Sequence, residues 1–391
     1  MEAYLDHAAT TRAFDEVGEL VSHIMCTDFG NPSSLHMKGV EAERYIRESA
    51  DIIADTLKTG RKNIVFTSGG TESNNMAIIG GCMANRRRGR HIITTCFEHA
   101  SVQQPCLYLE QNFDYEVTFL PVDEMGHVDL EELRGALRED TVLVSVMMVN
   151  NEVGAVLDVE AIGNTIKQFN KDILFHVDAV QAYGKMRLYP KRAKIDLLSV
   201  SGHKIHGPKG VGFLYMADGV RIHPYIHGGG QQQGRRSGTD NVPGIAGLGL
   251  AAKMMYADHE KTSEWMYSLK EYAWKLFHAL GDEGRIAIHA CDPEHIRETA
   301  PHILSIGIEG IRSEVLLHAL EERGVYVSSG SACSSNHPGI SSTLKAVGVK
   351  DHLLDSTIRI SWSVLTAKEE LDYAAAQIRE LLPVLRRYQR K

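Results

Sequence analysis

From about residue 60 to 216, short apolar runs alternate with longer amphipathic stretches. Runs at 63–67, 91–95, 115–120 and 141–148 have strand length and are rich in Val, Ile, Phe and Thr. Between them the spacing predicts helices over 71–88, 100–111 and 159–170. Two further runs, beginning at Phe175 and Ile195, read as buried strands. Regular alternation of this kind predicts a mixed, mostly parallel sheet with helices on both faces, an α/β architecture. After residue 240 the pattern changes. A long helical stretch covers about 244–280, and it is expected to join two parts of the molecule. Strand-like pieces at 285–289, 302–308, 325–328 and 357–362 then mix with helices at 313–323 and 366–389. The expected organisation is a large domain over 14–255 and a smaller α+β domain built from 1–13 and 256–391. No internal repeat or low-complexity tract interrupts it.

Composition narrows the picture only a little. The 391 residues are 43% hydrophobic and 24% charged, with a formal net charge of −8. A chain of that length buries a sizeable core, and an acidic balance argues against nucleic acid as a direct ligand. The basic run Arg86-Arg87-Arg88-Gly89-Arg90 reads as a solvated helix end, where cations are favoured. The first residues lack a basic segment followed by an apolar core, and no apolar run is long enough to span a bilayer. The expectation is a cytoplasmic protein without membrane contact. Cys26, Cys82, Cys96, Cys106, Cys291 and Cys333 show no CxxC spacing, so neither a metal site nor a disulfide framework is expected.

The chemistry lies where the apolar runs end. Phe175-His176-Val177-Asp178-Ala179-Val180-Gln181 closes on an acid and an amide. Ile195 to Lys204 closes on Ser201-Gly202-His203-Lys204, a hydroxyl, an imidazole and an amine. Open α/β sheets bind ligands beyond the carboxyl ends of their strands. An acid beside an amine there suits pyridoxal 5'-phosphate: the amine condenses with the aldehyde, and the acid keeps the ring nitrogen protonated. Lys204 is preferred to Lys209 because it follows the strand directly, whereas Lys209 sits in the turn Gly207-Pro208-Lys209-Gly210. Thr67-Ser68-Gly69-Gly70-Thr71-Glu72-Ser73 places glycines at a helix start, suited to a phosphate. The same residues also read as a plain capping signature. His99 opens a helix and can stack on a flat ring or carry a proton, although a satisfied surface or core histidine has the same look. Asn150-Asn151-Glu152 has turn chemistry. Gly228-Gly229-Gly230 and Arg235-Arg236-Ser237-Gly238-Thr239 form a donor-rich segment that can close over a phosphate or remain a surface loop. Four cysteines, Cys26, Cys82, Cys96 and Cys106, fall in apolar patterns and are expected to be inert. Cys333 stands in the small polar loop Ser328 to Gly339 and is the preferred nucleophile.

Taken together, these residues resemble the cysteine desulfurases of the class V aminotransferase family. The similarity runs from Tyr4-Leu5-Asp6-His7-Ala8-Ala9-Thr10-Thr11 and Phe29-Gly30-Asn31-Pro32-Ser33-Ser34 to Ile358-Arg359-Ile360-Ser361. Its most specific motifs are Ser201 to Gly210 and Ser328-Ser329-Gly330-Ser331-Ala332-Cys333; the second resembles the group with the longer cysteine loop. Gly70 stands where many members have alanine. The resemblance implies a type I pyridoxal-phosphate-dependent transferase fold and a homodimer. It implies Lys204 as the cofactor-binding lysine, His99 over the ring, Asp178 at the pyridine nitrogen and Gln181 at the ring hydroxyl. Thr71, Ser201 and His203 would hold the phosphate beside Gly70, with Thr239 supplied by the other subunit. Asn151 would lie near the ring oxygen and substrate, and Arg359 with Asn31 would meet the substrate carboxylate. The implied reaction converts L-cysteine to L-alanine and leaves a persulfide on Cys333 for a sulfur acceptor, an iron–sulfur scaffold or a tRNA-thiolating enzyme. Alternatives on the same fold are a selenocysteine lyase or an aminotransferase; a scaffold protein without catalysis is a third.

Overall fold

The computed structural model describes residues 1–281, 285–329 and 340–388. Among these, a seven-stranded sheet dominates, in the order Ile64–Thr67, Gly212–Met216, Leu197–Ser201, Leu174–Asp178, Thr141–Met147, His91–Thr95 and Glu116–Leu120. The last five run parallel to one another. Gly212–Met216 is antiparallel to both of its neighbours. Two reversals therefore return Ile64–Thr67 to the direction of the parallel set, and its C-terminal end opens on the same edge of the sheet. Every residue of the six strands other than Glu116–Leu120 is buried. That explains why they read as continuous apolar runs: with both faces covered, alternation has no purpose. Glu116–Leu120 lies at the sheet edge and is only partly buried.

A second sheet is wholly antiparallel, in the order Ser328–Ser329, Thr357–Ser361, Ile303–Ile308 and Ile286–His289. Ala3–Tyr4 pairs in parallel with Val325–Tyr326, and Asp6 bridges to Ser361. One hydrophobic core lies around the large sheet, and another packs Leu304, Ile306, Ile358 and Trp362 against Leu269, Phe277, Leu371 and Ile378.

Three local expectations need correction. The helical stretch from 244 to 280 is two helices, Val242–Ala257 and His259–His278, divided at Asp258, whose φ of −139° and ψ of 66° are not helical. Asp258 Oδ1 accepts from Lys261 N–H and caps the second helix. The helix expected over 71–88 ends at Asn85 and contains a π segment, Met76–Gly80. Cys26 is exposed at the end of the helix Asp15–Cys26 rather than enclosed in an apolar pattern. That helix and Met37–Thr56 pack on Val242–Ala257. The approach needs glycines: a Cβ on Gly249 would lie 2.6 Å from Ser49 Cβ, and one on Gly247 2.8 Å from Val21 Cγ2.

Candidate active site

Beyond the carboxyl ends of the strands lies a cavity of about 310 Å³, the size range of a small-molecule site. It brings together Gly70, Thr71, His99, Asn151, Asp178 and Gln181 with Ser201, His203, Lys204 and Arg359. Asp178 ends the strand Leu174–Asp178, and Ser201 ends its neighbour. Arg359 arrives from the antiparallel sheet. Asn31 is exposed outside this lining, where its side chain accepts from Ser33 N–H. Thr239 is also exposed and outside it. Cys333 lies outside the described residues.

Lys204 Nζ donates to the carbonyls of Ala8 and Ala9 at 2.6 and 2.7 Å. Its rival Lys209 is exposed and does not line the cavity. Asp178 is buried; Oδ1 accepts from Val180 N–H at 2.9 Å and Oδ2 from Asn74 Nδ2 at 2.7 Å. Gln181 Nε2 donates to Ala8 O at 2.9 Å, so its Oε1 takes the side of His302 Nε2, 3.1 Å away. His302 therefore donates from Nε2, and the amide of Gln181 has one orientation. The two asparagines separate cleanly. Asn150 is buried and holds a turn, donating to Phe97 O and accepting from Glu152 and Val153 N–H. Asn151 faces the cavity. The donor-rich segment is held elsewhere: Arg236 pairs with Glu72 at 2.8 Å, and Glu72 also accepts from Ser68 N–H.

Around the site several histidines stay uncharged. Burial pushes His7 down to about 3, and His203 and His206 down to about 4, so these imidazoles are neutral at pH 7. Glu98, fully enclosed, is pushed up to about 8 by burial. Its Oε1 accepts from Thr95 Oγ1 and Met147 N–H, tying two strand ends together just before His99. Sequence reasoning missed Lys185. It is 3% exposed, its Nζ donates to Lys204 O at 2.9 Å, and burial with the Lys204 charge beside it pushes the ammonium down to about 7. An unfolded chain holds that proton up to its ordinary 10.5. The folded-state value is depressed for a base, so Lys185 opposes folding most below pH 7 and ceases to do so above about 10.5. Lys185→Met should therefore gain most in stability over the wild type below about pH 7. The gain should shrink by roughly 1.4 kcal/mol per pH unit towards pH 10. Denaturant melts across that range read it; a gap that does not change with pH would contradict it.

Residues 3–374 match the family described as Aminotransferase class-V. A protein named cysteine desulfurase IscS from Dictyoglomus turgidum is 40% identical over 386 residues, covering 98% of this chain and 95% of its own length. A solved structure described as a NifS-like protein superposes with a TM-score of 0.91 at 37% identity, covering 98% of this chain and all of that one. Another, described as SspA in complex with cysteine, gives a TM-score of 0.79 at 32% identity over 93% of this chain and all of that one. The fold is thus the type I architecture expected, and the family's cofactor is pyridoxal 5'-phosphate. The cavity suits it. An acid and an amine, Asp178 and Lys204, both line it. Arg359 also lines it, its Nη2 paired with Asp6 and its Nη1 on Asn151 O, while its buried Nε keeps an unused donor. A Cβ on Gly70 would lie 2.7 Å from Val180 Cγ2, so the glycine lets the helix start approach Val180 closely at the cavity wall. The chain belongs to the class V aminotransferase family, among its cysteine desulfurases.

Proposed function

We propose that this chain takes sulfur from L-cysteine, releases L-alanine and holds the sulfur as a persulfide on Cys333. The observation that carries this reading is the placing of Lys204, Asp178, His99 and Arg359 around one cavity. Bound there, pyridoxal phosphate supplies an electron sink conjugated to the substrate nitrogen. The protein supplies the rest. Thr71, Ser201 and His203 would hold the phosphate, joined by Thr239 of a second copy, and the working form would then be a homodimer. Asp178 would serve the ring nitrogen, Gln181 would donate to the ring oxygen, and His99 would cover the ring. Asn151 would border the ring oxygen and substrate. Arg359 receives the substrate carboxylate, with Asn31 closing from outside. A planar guanidinium suits that anion better than an ammonium does.

Lys204 Nζ removes the proton from the substrate Cα, and its retention on carbonyl acceptors keeps the amine aimed at the cavity. Cys333 then attacks the substrate sulfur as a thiolate, the nucleophilic form. The S–S bond forms as the C–S bond breaks, carbon retains that electron pair, and protons delivered by Lys204 and His99 complete alanine. The persulfide then passes to an acceptor protein, an iron–sulfur scaffold or a tRNA-thiolating enzyme, in the cytoplasm. Among the described residues no helix is long and apolar enough to cross a membrane.

Cys333→Ser is expected to bind cofactor and cysteine, to release no alanine, and to gain no sulfur. Peptide mass spectrometry after treatment with cysteine decides it. One added sulfur on a peptide bearing Cys26 or Cys291, with Cys333 unmodified, would assign the transfer to a different thiol. Alanine formed without a keto acid separates this activity from transamination, and parallel turnover of selenocysteine separates it from a lyase.

A further inference from the structure

Behind the cavity lining, a buried amide links Asp178 to His99 by way of Ser101. Asn74 is fully buried on the helix that follows Gly69. Its Nδ2 lies 2.7 Å from Asp178 Oδ2 and 2.8 Å from Ser101 Oγ. Ser101 Oγ in turn lies 2.8 Å from His99 Nδ1.

The direction of donation follows independently from the two ends. At one end a carboxylate only accepts, so it faces the nitrogen of Asn74 rather than its oxygen. At the other end His99 caps its helix, and its Nδ1 accepts from Ser101 N–H at 3.1 Å. An accepting Nδ1 carries no proton, so the neutral ring holds its proton on Nε2. Ser101 Oγ must then donate to Nδ1, and it does so while accepting the second hydrogen of Asn74. The two deductions agree: Asn74 donates twice, Ser101 accepts once and donates once, and both ends are acceptors. Asn74 Oδ1, meanwhile, is buried without a partner. An orphaned buried oxygen is costly and calls for a reason; the reason here is that both N–H groups of the amide are committed to the site.

We propose that Asn74 is a positioning residue that sets the Asp178 carboxylate and, through Ser101, the Nε2–H form of His99 as one unit. This rests on the reading that Asp178 and His99 serve the cofactor ring. It makes the acid that would serve the ring nitrogen and the imidazole that would cover the ring interdependent, although neither touches the other.

The test uses the holoenzyme with ¹⁵N-labelled histidine and, separately, with cofactor labelled at its ring nitrogen. The His99 signals are identified by their loss in His99→Gln. In the wild type Nδ1 should resonate as an unprotonated nitrogen. Ser101→Ala should shift Nδ1 and leave the cofactor nitrogen nearly unmoved. Asn74→Ala should shift both, and lower kcat roughly tenfold or more with KM for cysteine little changed. Asn74→Asp preserves shape if the alanine variant fails to fold. Its one carboxyl proton can serve only one of the two acceptors, so at least one signal must move. A folded Asn74 variant with both signals in their wild-type positions would overturn the proposal, even if its Tm fell. A cofactor signal indifferent to Asp178→Asn would instead refute the assigned role of Asp178; the His99 signal would still report on the chain.

Discussion

Lys204→Ala is expected to abolish alanine production, a loss of roughly ten-thousandfold or more, and to remove the visible absorption of lysine-bound cofactor. The size of the effect follows from the double use of one amine: it anchors the cofactor and then moves the substrate proton. Three lysines compete on paper. Lys209 is exposed beyond a turn, and Lys185 is enclosed behind the cavity with its Nζ on the Lys204 carbonyl. Only Lys204 of the three lines the cavity. Lys209→Ala should leave the absorption intact. Lys185→Met should also leave a lysine-bound cofactor, although its loss changes the charge next to Lys204. A normal visible spectrum in Lys204→Ala would rule out the assignment.

Asp178→Asn is expected to retain cofactor but to slow proton removal from the substrate by about a thousandfold, roughly 4 kcal/mol of barrier. Its shape is nearly that of the wild type, so binding should survive. What is lost is a charge facing the ring nitrogen, on which the electron sink depends. The local hydrogen bonds add to the damage. Val180 N–H and Asn74 Nδ2 both donate to the native carboxylate. An amide there turns one of its own N–H groups towards one of these donors. Single-turnover measurement of alanine release reads the effect, and a rate within tenfold of wild type would refute the role.

Much of this arrangement is legible in the chain. Strands buried on both faces are continuous apolar runs, so those at 63–67, 91–95, 141–148 and from 175 onward are visible as such. Polar residues at the ends of such runs are visible too, which singles out Asp178 and Lys204. What stays hidden is polar and interior. Asn74 and Asn75 are adjacent and chemically identical, yet only Asn74 is buried. Periodicity locates faces of a helix but does not say which amide has a carboxylate opposite. Lys185 follows Tyr183-Gly184 and looks like any solvated lysine. His302 precedes an apolar strand, and nothing in its surroundings along the chain announces Gln181. The division at Asp258 is hidden for a different reason: Ala257-Asp258-His259-Glu260 contains no proline or glycine, and the cap is a side-chain contact made only after the chain has turned. The helices Asp15–Cys26 and Met37–Thr56 are hidden too, their apolar faces being matched by a glycine-bearing partner some 200 residues further on.

The carbonyls that hold Lys204 belong to Ala8 and Ala9, and their segment is fixed by the far end of the chain. Ala8 N–H donates to Ser361 Oγ, Asp6 pairs with Arg359 at 2.8 Å, and Ala3–Tyr4 lies along Val325–Tyr326. A ribosome makes the first of these partners more than three hundred residues before the last. The segment under the amine therefore still lacks these three partners when Lys204 is made, since a nascent chain folds from its N-terminal end. Contacts so distant in sequence form late. A chain made as far as Lys204 already holds the residues that line the cavity, Arg359 excepted, but not the strands that brace Ala8 and Ala9, so the support of the amine is completed only once residues 325–361 have followed.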